Sequence, residues 1–82
     1  MRRLYYGSAE CNGKQIRYSL TVAVMEGDIE FYGVAAEMEG EEAAAGDLTV
    51  SRCRAEAFLE RLRRGTVPPS ALRDVVEDWI EE

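Results

Sequence analysis

Cys53 is the residue whose surroundings most favour chemistry. It lies between Arg52 and Arg54, about two positions after Ser51, a residue type that caps helices. A helix N-terminus and neighbouring cations favour the reactive thiolate form of a cysteine. Cys53 is therefore a candidate for a thiol-dependent redox or enzymatic activity, although neither a general base nor a resolving cysteine is evident. The simpler interpretation is a small residue at an exposed position.

Other catalytic chemistry is restricted because the chain contains no histidine. This removes the usual general base near neutral pH, the triads built on it and the most common metal ligand. Asp74 with Asp78, and Glu77 with Glu81, lie one helical turn apart, but paired catalytic carboxylates need a concave, partly dry site. These four face away from the apolar stripe of their helix. We predict no enzymatic activity, no cofactor and no metal.

Acidic residues are concentrated in the middle of the chain. Residues 26–50 carry a net charge of -8, whereas residues 1–25 carry +3 and residues 51–82 carry -1. The segment 37–47 combines carboxylates with two glycines and three consecutive alanines, which predicts a mobile, solvated loop. Such a loop either attracts a basic partner or only keeps the protein soluble. The candidate partner-binding carboxylates are Glu37, Glu39, Glu41, Glu42 and Asp47.

Length and composition exclude further classes of protein. A chain of 82 residues, 46% apolar and 32% charged, predicts a single globular domain over residues 1–82. Its formal charge of -6 would repel nucleic acid, which makes nucleic-acid binding the least favoured function. No uncharged stretch is longer than that of residues 18–25, which is much shorter than the about 20 residues of a membrane helix. Two cysteines and no secretory signal predict a cytoplasmic protein.

The N-terminal half has the period of β-strands. Apolar residues alternate with polar ones through residues 14–24, which predicts a strand with one buried face. Asn12-Gly13 before it is a two-residue turn signal, and Met25-Glu26-Gly27 after it is typical of a second hairpin loop. The predicted strands span residues 2–10, 14–24, 28–37 and 48–50.

Apolar residues recur at helical spacing in two C-terminal segments, residues 52–64 and 69–81. Trp79 lies within the apolar stripe of the second helix, so we expect it in the core rather than on a ligand platform. The predicted class is α+β, with an antiparallel meander of three to four strands. Two C-terminal helices follow and pack on one face of that sheet.

Strand register determines which apolar residues this helical layer covers. A two-residue Asn12-Gly13 loop pairs Cys11 with Lys14 and turns Leu4 and Tyr6 away from the helices, unless a bulge shifts the first strand and hides them.

The second hairpin has two possible registers. A three-residue loop leaves Ile29 and Phe31 on the face away from the helices, whereas a two-residue loop leaves Tyr32 and Val34 there. Either register leaves an apolar outer face, and contiguous exposed apolar area usually marks a contact surface. The alternative is that isolated apolar residues lie on the surface, as they often do. The candidate interface residues are Leu4, Tyr6, Ala23, Ile29, Phe31, Tyr32 and Val34.

The C-terminal segment resembles the signature of a family of short bacterial proteins of unknown function. Residues 67–80 read VPPSALRDVVEDWI and contain the pattern Pro-x-x-Leu-x-Asp-Val-Val-Glu-Asp. Tyr32-Gly33-Val34 and Val50-Ser51 are also similar to that family, whereas Pro68 and Ala71 stand where Ser and His are expected. The resemblance implies a small β-meander with two C-terminal helices, and it implies no activity.

Together these patterns favour a non-enzymatic protein-protein interaction or regulatory module. The expected partner is another protein, or a second copy forming a homodimer, bound through the outer sheet face or the acidic loop. We expect neither nucleic acid nor a membrane as a partner. The alternative function is thiol chemistry at Cys53, and nucleic-acid binding ranks third.

Overall fold

The computed structural model confirms the α+β class and the antiparallel meander followed by two helices. It describes residues 2–81, so the predicted domain of residues 1–82 extends one residue beyond them at each end. Four strands lie in the order β1-β2-β3-β4. The elements are β1 (Arg2–Cys11), β2 (Lys14–Val24), β3 (Glu30–Met38), β4 (Glu41–Thr49), α1 (Arg52–Arg64), a 3-10 turn (Pro69–Ala71) and α2 (Leu72–Ile80).

The largest difference from the sequence-based prediction is at residues 37–47, which we expected to be a loop. They form the end of β3, a two-residue turn at Glu39-Gly40 and most of β4. Alanine is depleted in strands, so three consecutive alanines did not indicate one. The strand exists because β3 offers a partner for each alanine: Ala43, Ala44 and Ala45 pair with Ala36, Ala35 and Val34. The predicted short strand at residues 48–50 therefore overlaps only the C-terminal end of β4.

A bulge in β1 changes which of its side chains face the helices. Cys11 pairs with Lys14 as predicted, but the register shifts between Tyr5 and Gly7, so that Leu4 lies opposite the buried Leu20. One unpaired residue reverses the faces of everything beyond it, because side chains alternate with a period of two. Leu4 and Tyr6 therefore pack against the core, as the bulge alternative predicted, and Tyr5 lies on the outer face, 58% exposed.

The second hairpin buries the side chains expected from a three-residue loop, although its loop is longer. Val24 pairs with Glu30 rather than with Asp28, so five residues, 25–29, connect β2 to β3. A shift by two residues keeps every side chain on its face. Val34 and Ala36 are accordingly buried opposite Leu20 and Tyr18.

Both helices cover the same face of the sheet and form one core with it. The Phe58 ring of α1 stacks on the Trp79 ring of α2, with centroids 4.7 Å apart, and Trp79 is buried as predicted. The Tyr18 hydroxyl donates to the Val67 carbonyl at 2.7 Å, which fastens the connection between the helices to β2. Burial raises the pKa of Tyr18 to about 12.

A charged cluster joins α1 to β1. Tyr6 Oη donates to Glu60 Oε1 at 2.9 Å, Arg63 Nη2 donates to Glu60 Oε2 at 2.6 Å, and Arg64 Nε donates to the same oxygen at 2.9 Å. These hydrogen bonds, from Arg63 first and Tyr6 second, lower the pKa of Glu60 from 4.5 to about 2. The bulge in β1 therefore places the Tyr6 hydroxyl beside the Glu60 carboxylate, which is ionised in the folded protein.

Gly33 allows β4 to cross close to β3. A Cβ at this position would lie 2.7 Å from both the Gly46 Cα and the Thr21 Oγ1, and it would overlap the Ala45 carbonyl oxygen. The β3–β4 register shifts between Tyr32 and Val34, and Asp47 within the resulting bulge has a φ of 56°. The residue at position 33 must therefore lack a side chain, because the atoms it would meet belong mostly to the backbone.

We predict that Gly33→Ala lowers the free energy of unfolding by more than about 3 kcal/mol, beyond the usual cost of overpacking, because the backbone of β4 must move. Urea unfolding followed by circular dichroism measures the loss. Gly7→Ala is the matched control, since its Cβ would meet only the Arg63 Cδ, at 3.2 Å, on a flexible side chain. Equal losses in the two variants would contradict a backbone constraint at Gly33.

We also predict that acid destabilises the protein through Glu60. Because its pKa is lower in the folded protein, the stabilisation is complete above pH 4.5 and is lost as the pH falls toward about 2. Glu60→Gln should make stability depend less on pH in this window, as measured by urea unfolding at several pH values. Glu56→Gln, which removes an exposed carboxylate 3.7 Å from Arg52 on the same helix, should behave like the wild type. An unchanged slope in Glu60→Gln would contradict the prediction.

Candidate functional site

The outer face of the sheet, the face away from the helices, lacks four of the residues predicted to form an interface there. Leu4, Tyr6 and Tyr32 are partly buried against the core, and Val34 is completely buried within it. The bulge in β1 moves the first two, and the register of β2 with β3 places the other two. Their expected position on the outer face is therefore wrong.

The remaining three predicted interface residues lie at or near the β2–β3 loop. Ala23 and Phe31 are half-buried where they pair on the outer face, and Ile29 is half-exposed in the loop. Val24 and Met25, between Ala23 and this loop residue, are also exposed apolar residues.

Charged side chains extend across the outer face. Arg3 Nη2 lies 2.7 Å from Glu42 Oε1, and the Arg17 guanidinium lies 5.2 Å from the centre of the Tyr5 ring. A homodimer through this face remains a prediction, but the apolar set that motivated it is reduced to Ala23, Phe31 and the loop residue Ile29.

The candidate thiol and the helical carboxylates are separate surface groups. Cys53 is exposed in the first turn of α1, where Ser51 accepts a hydrogen bond from the Arg54 amide at 3.3 Å, and Cys11 is the second free thiol. Asp74, Asp78, Glu77 and Glu81 are all exposed. Within residues 2–81, no three side chains of the metal-binding types come together.

Neither helix has the length and apolarity that would be needed to cross a lipid bilayer in the part of the chain described here.

The five acidic residues predicted to meet a partner lie on the β3–β4 hairpin, and all of them are exposed. Glu37 and Glu42 are directly opposite each other on the outer face, an arrangement that is unfavourable for like charges. Arg3 compensates Glu42 in part, and Arg17 pairs with Glu37 across β2 and β3. Glu39, Glu41 and Asp47 form no ion pair with any other described residue.

One long side of β4 has no partner. This strand lies at the edge of the sheet, and no other described strand pairs with its far side. Met38 and Glu41 flank the two-residue turn, so they form a hydrogen-bonded pair, and alternate residues along β4 point their backbone groups in opposite directions. Glu42 and Ala44 therefore direct their N–H and C=O groups away from the sheet.

A groove runs along this free edge, between β4 and α2. Its volume is about 590 Å³, within the range of about 300–1,000 Å³ that is typical of ligand clefts. Pro69, Leu72 and Val76 are buried residues at its base, and Arg73 and Glu77 are exposed at its rim. We call this feature the edge groove; its lining is Ala43, Ala44, Ala45, Pro69, Leu72, Arg73, Val76 and Glu77.

Sequence reasoning missed the edge groove because it missed β4. The sequence signal that could have indicated β4 was Glu39-Gly40, because glycine is common in turns that follow a strand. In the structure Gly40 has a φ of 79°, a conformation that glycine adopts readily. Ala43, Ala44 and Ala45 have small side chains, which leave the backbone of these residues accessible from the side of α2.

Comparison with known proteins gives a family but no function. No curated protein and no solved structure matches the chain. The model of one family, described as a family of unknown function (DUF6514), matches residues 5–82, which include all four strands in whole or in part and both helices. The chain therefore belongs to the DUF6514 family of unknown function.

Proposed function

We propose that this protein is a non-catalytic module that binds another protein through the edge groove. The observation that carries this proposal is the coincidence of a free strand edge with a cleft that has apolar residues at its base. Ala44, whose backbone groups point outward, lines the same cleft as the buried residues Leu72 and Val76. Extended segments of partner proteins bind at such places, because the edge supplies hydrogen bonds and the cleft accepts side chains.

The other proposed surfaces have less support. The outer face keeps only Ala23 and Phe31 of the strand residues predicted to form an interface, and it also carries the Arg3–Glu42 ion pair. Cys53 is an exposed free thiol with no described hydrogen bond to a second reactive group. Thiol chemistry and nucleic-acid binding therefore rank below protein binding. The free state of Cys11 and Cys53 is compatible with the cytoplasmic location predicted above.

The proposal is tested by selecting a display library of random twelve-residue peptides on the folded protein. We expect recovered peptides to shift the NMR amide signals of residues 43–45, 72, 73, 76 and 77, because those residues line the edge groove. Signals of the outer-face residues Ser8 and Ser19 serve as an internal control and should move less. Recovery of no peptide above an unrelated protein, or shifts centred on the outer face or Cys53, would overturn the proposed function.

A further inference from the structure

We infer that the edge groove accepts an extended segment of a partner protein as a fifth strand beside β4, with basic and apolar side chains alternating along that segment. This inference rests on the proposed function and adds the chemistry of the occupant.

The apolar half of the alternation follows from the inner side of β4. Ala43 and Ala45 face the core side and pack against it. Side chains directly opposite each other on neighbouring strands share a face. Residues of an added strand that lie opposite these alanines would therefore point toward Leu72 and Val76, which are apolar. The rim carries one cation, Arg73, and one anion, Glu77, so it favours neither charge.

The basic half follows from the outer side of β4. Glu42 and Ala44 face outward, and residues of an added strand opposite them would lie beside the carboxylates of Glu42 and Glu37. Across the sheet, Arg17, Glu37 and Glu42 occupy one row of paired positions, so the charges read plus, minus, minus. A Lys or Arg at the next position would place a cation beside Glu42, in addition to Arg3, which lies 2.7 Å from that carboxylate. The position next to Glu42 therefore favours a cation over an anion.

A second copy of β4 does not meet this requirement. Each β4 carries Glu41, Glu42 and Asp47 and no basic residue. Two such edges would bring their carboxylates together without a cation from either strand, which is the usual way that edge strands resist self-pairing. The occupant is therefore a segment of different sequence.

The probe for this inference is a capped seven-residue peptide of alternating lysine and valine, which begins and ends with lysine. Two controls have the same charge or the same pattern: one contains the same residues in two blocks, and the other has glutamate in place of lysine. We expect only the alternating lysine peptide to bind, by titration calorimetry, and to shift the amide signals of residues 41–45 and 72–77. Equal binding of the block peptide would overturn the inference, since charge alone would then suffice.

Backbone pairing is tested with the wild-type protein by N-methylating the peptide. Alternate amides of an added strand face β4 or solvent, so methylation of one alternate set should abolish binding and methylation of the other should not. The lysine amides face β4 if the strands are antiparallel. An equal effect of the two methylation patterns, whether both peptides bind or both fail, would contradict strand addition.

The charge row is tested by reversal. Glu42→Lys should weaken binding of the alternating lysine peptide by at least the about 1.4-fold to fivefold expected for loss of one exposed ion pair, and it should allow the glutamate peptide to bind. Glu10→Lys is the matched control, because Glu10 is an exposed glutamate on β1, the opposite edge of the sheet. Equal effects of the two reversals would show that only net charge matters, which would overturn the predicted position of the cation.

The outcomes also separate this inference from the proposed function. If library peptides shift the signals of the edge groove but the alternating peptide does not, or if methylation has no pattern, strand addition is wrong and the binding module stands. If no peptide reaches the edge groove, both are wrong. The protein could also form a dimer in sedimentation velocity, with edge-groove signals that differ from those of the monomer before any peptide is added. That result would identify a second copy as the occupant and overturn the inference.

Discussion

The close approach of β4 to Gly33 is the constraint on which the shape of this sheet depends. Residues 46–48 leave the regular pairing opposite Gly33 and cross beside Thr21, whose side chain is buried although it belongs to the outer face. The protein therefore covers the middle of its outer face with its own backbone. The same crossing ends the regular part of β4 at Ala45, so that residues 41–45 form a short edge whose far side pairs with no other described strand. A side chain at position 33 would alter both surfaces at once.

The parts of the fold that sequence could predict are those with local causes. The period of two in β2, the Asn12-Gly13 turn and the apolar spacing in α1 each depend on residues that are near one another in the chain. The bulge at Tyr6 has a different cause. Hydrogen bonding of its hydroxyl to Glu60, 54 residues away, stabilises the shifted register, and no local pattern reports that contact. Sequence patterns could therefore suggest the bulge as one alternative, but they could not show that it forms.

The candidate site was not predictable for the same physical reason. Ala43, Ala44 and Ala45 have little strand propensity of their own, and they form a strand because β3 offers paired backbone groups. The acidic residues were recognised from composition, yet the faces on which they lie are defined only by the sheet. Glu42 points to the outer face and Ala43 to the core, so one short segment presents charge on one side and a cleft on the other. A mobile loop would hold neither the charge nor the cleft in a fixed position.

The energetics of this edge favour a selective and reversible interaction. Two outward residues, Glu42 and Ala44, can form about four backbone hydrogen bonds, and each contributes only about 0.5–1.5 kcal/mol net after water is displaced. The opposed carboxylates of Glu37 and Glu42 cost the free protein at most roughly 0.2–1 kcal/mol, because Arg3 and Arg17 compensate part of the repulsion, and a cation on an added strand would offset the rest. The backbone and the groove would then supply most of the affinity for any extended segment. The carboxylates of Glu37 and Glu42 discriminate between partner segments, because they disfavour an acidic strand and favour a basic one. A short edge with charged selectivity suits a regulatory contact better than a permanent subunit interface.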